Sequence, residues 1–182
     1  MKPFVVLALL ASTLSLPAQE TRRTVSHVAA NPADDRRPNN PSVPDVSSID
    51  AHLQRIVILR FKYGTDLLAG LQKTIREKKI RNAVILSGFG SVRNYQVHQV
   101  SNRDIPPKDL LVKNPTAPAD IISMSGVVIN GRVHPHITLA NADHAFGGHL
   151  EADTTVFTFA VVTLGVLDDT VDLSRLDDWN NR

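Results

Sequence analysis

The chain contains no cysteine among its 182 residues. This excludes disulfide bonds, zinc sites built from thiolates, and a lipid anchor attached to an N-terminal cysteine. Aromatic residues make up only 5% of the chain, so the core must consist mostly of Val, Ile, Leu and Ala side chains. Without disulfides, a domain of this size depends for its stability on that core or on association with further copies of itself.

The chain also lacks an excess of charge of either sign. Its formal net charge is +2, and 21% of its residues are charged. Proteins that bind nucleic acid usually present a clustered basic face. We interpret the one dense basic cluster of the chain as the solvated face of a helix. Its members are Lys73, Arg76, Lys78, Lys79 and Arg81.

The first 18 residues have the features of a secretory signal peptide. Lys2 supplies a positive charge, residues 4–16 form an apolar run, and Pro17-Ala18 ends that run with a helix breaker and a small residue. The run is too short to cross a bilayer as a stop-transfer helix. We expect cleavage after Ala18 and export to the periplasm or the medium. An uncleaved N-terminal anchor is the alternative.

The remainder of the chain divides into three segments. Residues 19–48 contain four prolines, several paired charges and no apolar periodicity. Such a segment cannot repay its ordering entropy through burial, and we predict a disordered linker. Residues 49–168 carry the patterns of one folded domain. Residues 169–182 are predicted to form an acidic C-terminal tail.

Hydrophobic periodicity predicts the class of the folded domain. Residues 56–63 alternate as a half-buried strand does, and apolar residues recur at helical spacing within residues 67–79. Asn130-Gly131 favours a tight hairpin between two strands. Residues 101–118, polar and rich in proline, predict a long loop. Several antiparallel strands with one clear helix indicate an α+β domain. Further strands are predicted at residues 83–86, 92–100, 121–129, 133–139 and 154–167.

Histidine is the residue type that points to chemistry. His134 and His136 lie on a predicted strand, where side chains at positions i and i+2 project from the same face. His149 follows Gly147-Gly148, and paired glycines let a backbone turn sharply and approach a ligand closely. Three imidazoles with one open position are typical of zinc sites that bind or transform a substrate. The sequence therefore predicts a divalent metal, with zinc as the expected ion, at His134, His136 and His149.

Neighbouring polar residues leave alternatives open. Glu151 shares the face of His149 on an extended segment, so it could be a ligand or a general base; a surface charge is the simpler interpretation. His144, in a predicted loop, is interpreted as solvated. The histidines could also be ordinary polar residues of a structural protein.

Several motifs occur together in the order of one known family. They are the segment Val84-Ile85-Leu86-Ser87-Gly88-Phe89-Gly90-Ser91-Val92-Arg93-Asn94, the strand at residues 121–127, the His134 to His136 pair and the box Gly147-Gly148-His149-Leu150. On these motifs, residues 49–168 resemble the plants-and-prokaryotes conserved (PPC) domain, known in bacteria as a DNA-binding protein with a PD1-like motif. The resemblance implies a compact α+β domain with a curved antiparallel sheet, assembled as a homotrimer. It also implies a histidine metal site, which maps onto His134, His136 and His149.

The same resemblance raises the question of DNA binding. In plant members the domain follows AT-hooks, which are short Arg-Gly-Arg-Pro segments that bind the minor groove. This chain has no such segment, since Arg36-Arg37-Pro38 lacks the glycine. We therefore expect an exported, metal-binding homotrimer without specific DNA binding. A regulatory DNA-binding protein and a purely structural trimer are the rival interpretations. Whether the metal site binds a small molecule or supports hydrolysis is left open.

The signal peptide can be tested directly. Because the apolar run ends at Pro17-Ala18, mass spectrometry of the protein from its native host should find a mature N-terminus near Gln19. Recovery of the chain with Met1 intact from a cytoplasmic fraction would contradict export.

Overall fold

The computed structural model describes residues 24–27, 40–102 and 107–177, and the predicted signal peptide lies outside them. The described chain contains eight strands, one α-helix and a short 3₁₀ helix, which confirms the α+β class. Within these residues no helix has the length and apolar character needed to cross a bilayer. The strands are β1 (Thr24–His27), β2 (Leu53–Lys62), β3 (Ala83–Val100), β4 (Asp109–Asn114), β5 (Ala119–Ile129), β6 (Arg132–Ala140), β7 (Ala145–Leu150) and β8 (Thr155–Leu167). The helix α1 spans Leu67–Glu77, and the 3₁₀ helix spans Ser174–Asp177.

Strand β3 organises the sheet. It has 18 residues and pairs in antiparallel fashion with β4, β5, β7 and β8. Strand β5 continues through the Asn130-Gly131 turn into β6, and β6 pairs with β7. The pairings β3–β5, β5–β6, β6–β7 and β7–β3 therefore form a closed circuit. A closed circuit of strands requires the sheet to curve, as the resemblance to the PPC domain implied.

Helix α1 covers one face of the sheet. The Asp66 side chain caps its first turn by accepting a hydrogen bond from the backbone N–H of Ala69 at 2.8 Å. Leu67, Leu71 and Ile75 point inward at helical spacing and are almost fully buried. They join a mostly aliphatic core from the strands, as the shortage of aromatic residues led us to expect.

The structure differs from the sequence-based expectation in the segment predicted as a long loop. Residues Asp109–Asn114 form strand β4 against the C-terminal half of β3, and Val112 is buried. The strand is short and lies in a proline-rich segment, so the alternation of its apolar and polar residues is too brief to predict a strand. Thr24–His27, inside the segment predicted as a linker, also forms a strand, which extends the sheet beyond β4.

The beginning of the predicted acidic tail is attached to the domain. Leu173 is buried, and the buried side chain of Asn82 donates a hydrogen bond to the carbonyl of Val171 at 2.7 Å. The chain therefore turns back onto the domain after β8 and ends its described part in the 3₁₀ helix.

Candidate metal centre

The register of three neighbouring strands places three histidines in one row. His136 on β6 lies directly opposite His149 on β7, and His149 lies opposite His98 on β3. His134 precedes His136 by two residues and Glu151 follows His149 by two, so both extend the row on the same face. The sheet thus brings together four imidazoles and a carboxylate from separate parts of the chain.

The two glycines before His149 allow this arrangement. A Cβ atom at Gly147 would lie 2.1 Å from the carbonyl oxygen of Ile137 on β6. A Cβ atom at Gly148 would lie 2.2 Å from the carbonyl oxygen of His98 on β3. Both separations are far below a normal contact, so only glycine lets β7 fit between its two neighbours. The sequence predicted a sharp turn and a close approach to a ligand at Gly147-Gly148; in the structure these glycines lie within strand β7 and allow close packing between strands.

Two of the three imidazoles predicted from the sequence, His134 and His136, have nitrogens in close contact, and the ring of His149 lies beside them. Among the described residues, these three do not form a group whose ligand atoms all lie within 4.8 Å of one another. The Nε2 atoms of His134 and His136 are 3.3 Å apart. The ring of His149 stands edge-on to both, with ring centroids 4.8 Å from His134 and 5.6 Å from His136. Their use as metal ligands remains a prediction.

A second donor set overlaps the first at His149. His98, His149 and Glu151 each offer one ligand atom within 4.8 Å of the others, and this cluster could hold a metal ion. The rings of His98 and His149 are stacked with centroids 4.6 Å apart. All three side chains are about one-fifth to one-third exposed, which leaves the cluster open to an ion from solvent.

Two carboxylates face the Nδ1 atoms of three of these rings. Glu151 Oε1 lies 2.5 Å from His98 Nδ1 and 3.2 Å from His149 Nδ1. Asp177 Oδ2, in the 3₁₀ helix, lies 3.1 Å from His134 Nδ1. An imidazole that donates its Nδ1–H to a carboxylate keeps its lone pair on Nε2. Carboxylates in this position orient metal-binding histidines in many proteins.

Sequence reasoning missed two residues of this cluster. Alternation along the strand could have shown that the side chain of His98 points away from the face on which Val97 is buried. Nothing in the local sequence indicated that β3 would pair with β7 at this position. Asp177 carried no sequence signal. His144 lies apart from the cluster, in the turn between β6 and β7. Its ring lies beside that of Phe146, with ring centroids 5.3 Å apart.

The cluster favours neutral imidazoles. Desolvation lowers the pKa of His136 from its ordinary value of 6.5, and charge repulsion from His134 and His98 lowers it further. Desolvation also lowers the pKa of His149, with repulsion from His98 and His134, although Glu151 partly opposes the shift. Neutral imidazole is the form that binds metal ions, so the site holds its ligands ready at neutral pH.

The fold and the cluster together define a class: an α+β domain with a curved sheet and a histidine-rich candidate metal centre. The chain belongs to the Plants and Prokaryotes Conserved (PCC) domain family, whose pattern matches residues 50–168. This confirms the resemblance seen in the sequence motifs. A comparison with curated proteins found no match.

Solved structures of the same fold support the assignment. A metal-containing protein of Archaeoglobus fulgidus is 25% identical, with a TM-score of 0.56, over 70% of this chain and 86% of that one. A plant- and prokaryote-conserved protein of Pyrococcus horikoshii is 24% identical, with a TM-score of 0.56, over 68% and 85%. A candidate DNA-binding protein of Bacteroides thetaiotaomicron is 18% identical, with a TM-score of 0.54, over 68% and 86%.

The lowered pKa values predict how the stability of the metal-free protein depends on pH. Below a pH of about 6.5 the unfolded chain binds more protons than the folded chain, because His136 and His149 resist protonation only when folded. The free energy of unfolding should therefore decrease as the pH falls through this range. Urea unfolding of chelator-treated protein between about pH 7.5 and about pH 5.5 measures the slope.

Variants show whether the cluster causes that slope. His136→Ala should flatten it by removing one group with a lowered pKa, and His144→Ala, outside the cluster, should leave it unchanged. An identical slope in the wild type and in His136→Ala would contradict the interpretation.

Proposed function

We propose that this domain binds a divalent metal ion, zinc, through the Nε2 atoms of His134, His136 and His149. The observation that carries the proposal is the 3.3 Å separation of His134 Nε2 and His136 Nε2. At Zn–N bonds of 2.0–2.1 Å, two nitrogens this far apart subtend about 107° at the metal, close to the tetrahedral angle. His149, from the neighbouring strand, stands edge-on to both rings, and we assign it as the third ligand, which requires its ring to turn toward the other two on binding.

The hydrogen bonds of the rings support this choice of atoms. If His134 donates its Nδ1–H to Asp177, its Nε2 lone pair faces the Nε2 atom of His136. A metal cation located between the two nitrogens would be bound by the lone pairs of both. The three residues fit a zinc ion in donor type, since imidazole nitrogen is among the preferred ligands of zinc. His134 and His136 also fit it in spacing.

Glu151 is better suited to orient its neighbours than to bind the metal. Its Oε1 lies 2.5 Å from His98 Nδ1, and two ligand atoms so close would subtend only about 75° at a zinc ion. That separation is typical of a short hydrogen bond to a charged acceptor. We propose that Glu151 holds the rings of His98 and His149 in place. The metal ligands that we propose are the three histidines predicted from the sequence.

The comparison with the Archaeoglobus fulgidus protein adds support. That protein is metal-containing, and the two chains share 25% identity over most of the domain. Three imidazoles would leave a fourth position for water or a small ligand, which both small-molecule binding and metal-assisted hydrolysis require. We further propose that the domain works outside the cytoplasm, which rests on the signal-peptide features of residues 1–18.

Metal analysis of the purified protein tests the proposal. Protein loaded with zinc and passed through a desalting column should retain about one ion per chain. His136→Ala should lose most of that metal and remain folded, since His136 lies at the surface of a core formed without it. His144→Ala, matched in residue type but outside the cluster, should retain it.

The same measurement separates the two donor sets. If Glu151 and His98 are the true ligands with His149, then His98→Ala should abolish zinc retention and His134→Ala should not. That outcome would overturn the ligand set proposed here. Absence of zinc from the wild type after loading would overturn the metal-binding function.

We also propose that the domain assembles as a homotrimer. One face of the sheet, opposite α1, carries large apolar side chains exposed to solvent, which we call the outer sheet face. Ile58 is 70% exposed and Phe89 is 50% exposed, and Phe89 packs edge-on against Phe159 with ring centroids 6.3 Å apart. Exposed apolar patches of this kind mark sites of protein association. The members of the outer sheet face are Ile56, Ile58, Phe89, Phe157 and Phe159.

Light scattering tests the assembly. The mature protein should show about three times its monomer mass, because burying this face between subunits removes apolar surface from water. Phe89→Glu should dissociate the assembly, whereas Val46→Glu, at an exposed apolar residue in the segment before β2, should not. A monomer at micromolar concentration would contradict the proposal.

A further inference from the structure

The chain beyond the family domain returns to the metal centre. After β8, two contacts hold residues 171–176 against the domain, and one hydrogen bond within the segment closes its 3₁₀ turn. The Leu173 side chain is buried, the Asn82 amide donates to Val171 O at 2.7 Å, and the N–H of Leu176 donates to Leu173 O at 3.0 Å. Asn82 is itself buried, so its amide needs this partner. The position of the 3₁₀ helix is therefore set by the fold.

This attachment delivers one carboxylate to the histidine cluster. Asp177, the last residue of the 3₁₀ helix, places Oδ2 3.1 Å from His134 Nδ1. Among the described residues, Asp177 is the carboxylate that meets His134, whereas Glu151 meets His98 and His149. Asp177 lies outside the family match at residues 50–168, so this contact is a feature of the present chain and not of the domain pattern.

The contact has a defined chemical effect. An aspartate that accepts the Nδ1–H of an imidazole fixes the tautomer with its lone pair on Nε2 and fixes the orientation of the ring. In His134, Nε2 is the atom that lies 3.3 Å from His136 Nε2. The carboxylate also places a negative charge beside a site that would hold a cation.

We infer that Asp177 is a positioning residue for the metal centre: the C-terminal segment fixes the tautomer of His134 and so raises the affinity of the site for a divalent metal. This inference rests on the proposed function, because it names a further determinant of the same site. It predicts that the tail is required for full metal affinity and not for folding of the domain.

The affinity test uses the full mature chain and zinc in competition with a chromophoric chelator. Asp177→Ala should weaken zinc binding about 10- to 100-fold, the effect typical of losing a carboxylate that orients a ligand. Asp177→Glu should restore part of the affinity. Asp169→Ala is the matched control: it removes an exposed aspartate of the same tail that has no contact with the cluster, so it should bind like the wild type. Equal thermal melting of the metal-free variants shows that the fold is intact.

A second readout does not depend on metal. In chelator-treated protein at a pH of about 8, where imidazole is neutral, nitrogen-15 NMR reports the tautomer of His134. The wild type and Asp169→Ala should show the proton on Nδ1, and Asp177→Ala should shift it toward Nε2.

The two readouts separate the two possible failures. If the wild type does not bind zinc but the tautomer shifts in Asp177→Ala, the metal function is wrong and the positioning contact stands. If zinc affinity and tautomer are both unchanged in Asp177→Ala, the inference is overturned while the metal function stands.

Discussion

The candidate metal centre depends on the close approach of β7 to the two strands beside it. Gly147 and Gly148 bring its backbone against the carbonyl oxygens of Ile137 and His98, at distances that exclude any side chain. That approach closes the circuit of strands and sets the register that aligns His149 with His136 and with His98. The spacing of the histidines therefore follows from backbone packing. A bulkier residue at either glycine would separate the strands and the imidazoles together.

The electrostatics of the cluster follow from this geometry. Desolvation lowers the pKa values of His136 and His149, and repulsion between imidazoles held so close lowers them further. A small site that rejects protons but presents several nitrogen lone pairs is suited to a metal cation. The carboxylates of Glu151 and Asp177 also favour metal binding. Each contacts Nδ1 atoms of the rings, and an imidazole that donates its Nδ1–H to a carboxylate keeps the lone pair of Nε2 available for a metal ion. One carboxylate comes from the domain and the other from the tail.

Local sequence patterns predicted the α+β class, most strands, the helix and the hairpin at Asn130-Gly131, because each depends on neighbours in the chain. The spacing of His134 and His136 and the glycines before His149 predicted the three residues that the fold brings together. His98 and Asp177 could not be found in this way. His98 contacts Glu151 across 53 positions, and Asp177 contacts His134 across 43. Such contacts depend on strand register and on how the tail folds back, which no local pattern encodes. Strand β4 was missed because prolines on both sides suggested a loop.

The central claim is that His134, His136 and His149 share one metal ion. Anomalous diffraction at the zinc absorption edge, on crystals of zinc-loaded protein, tests it most directly. The account predicts one strong peak per chain, at about 2.0–2.1 Å from the Nε2 atoms of these three residues. A peak bound instead by His98, His149 and Glu151, or no peak within the cluster, would contradict it.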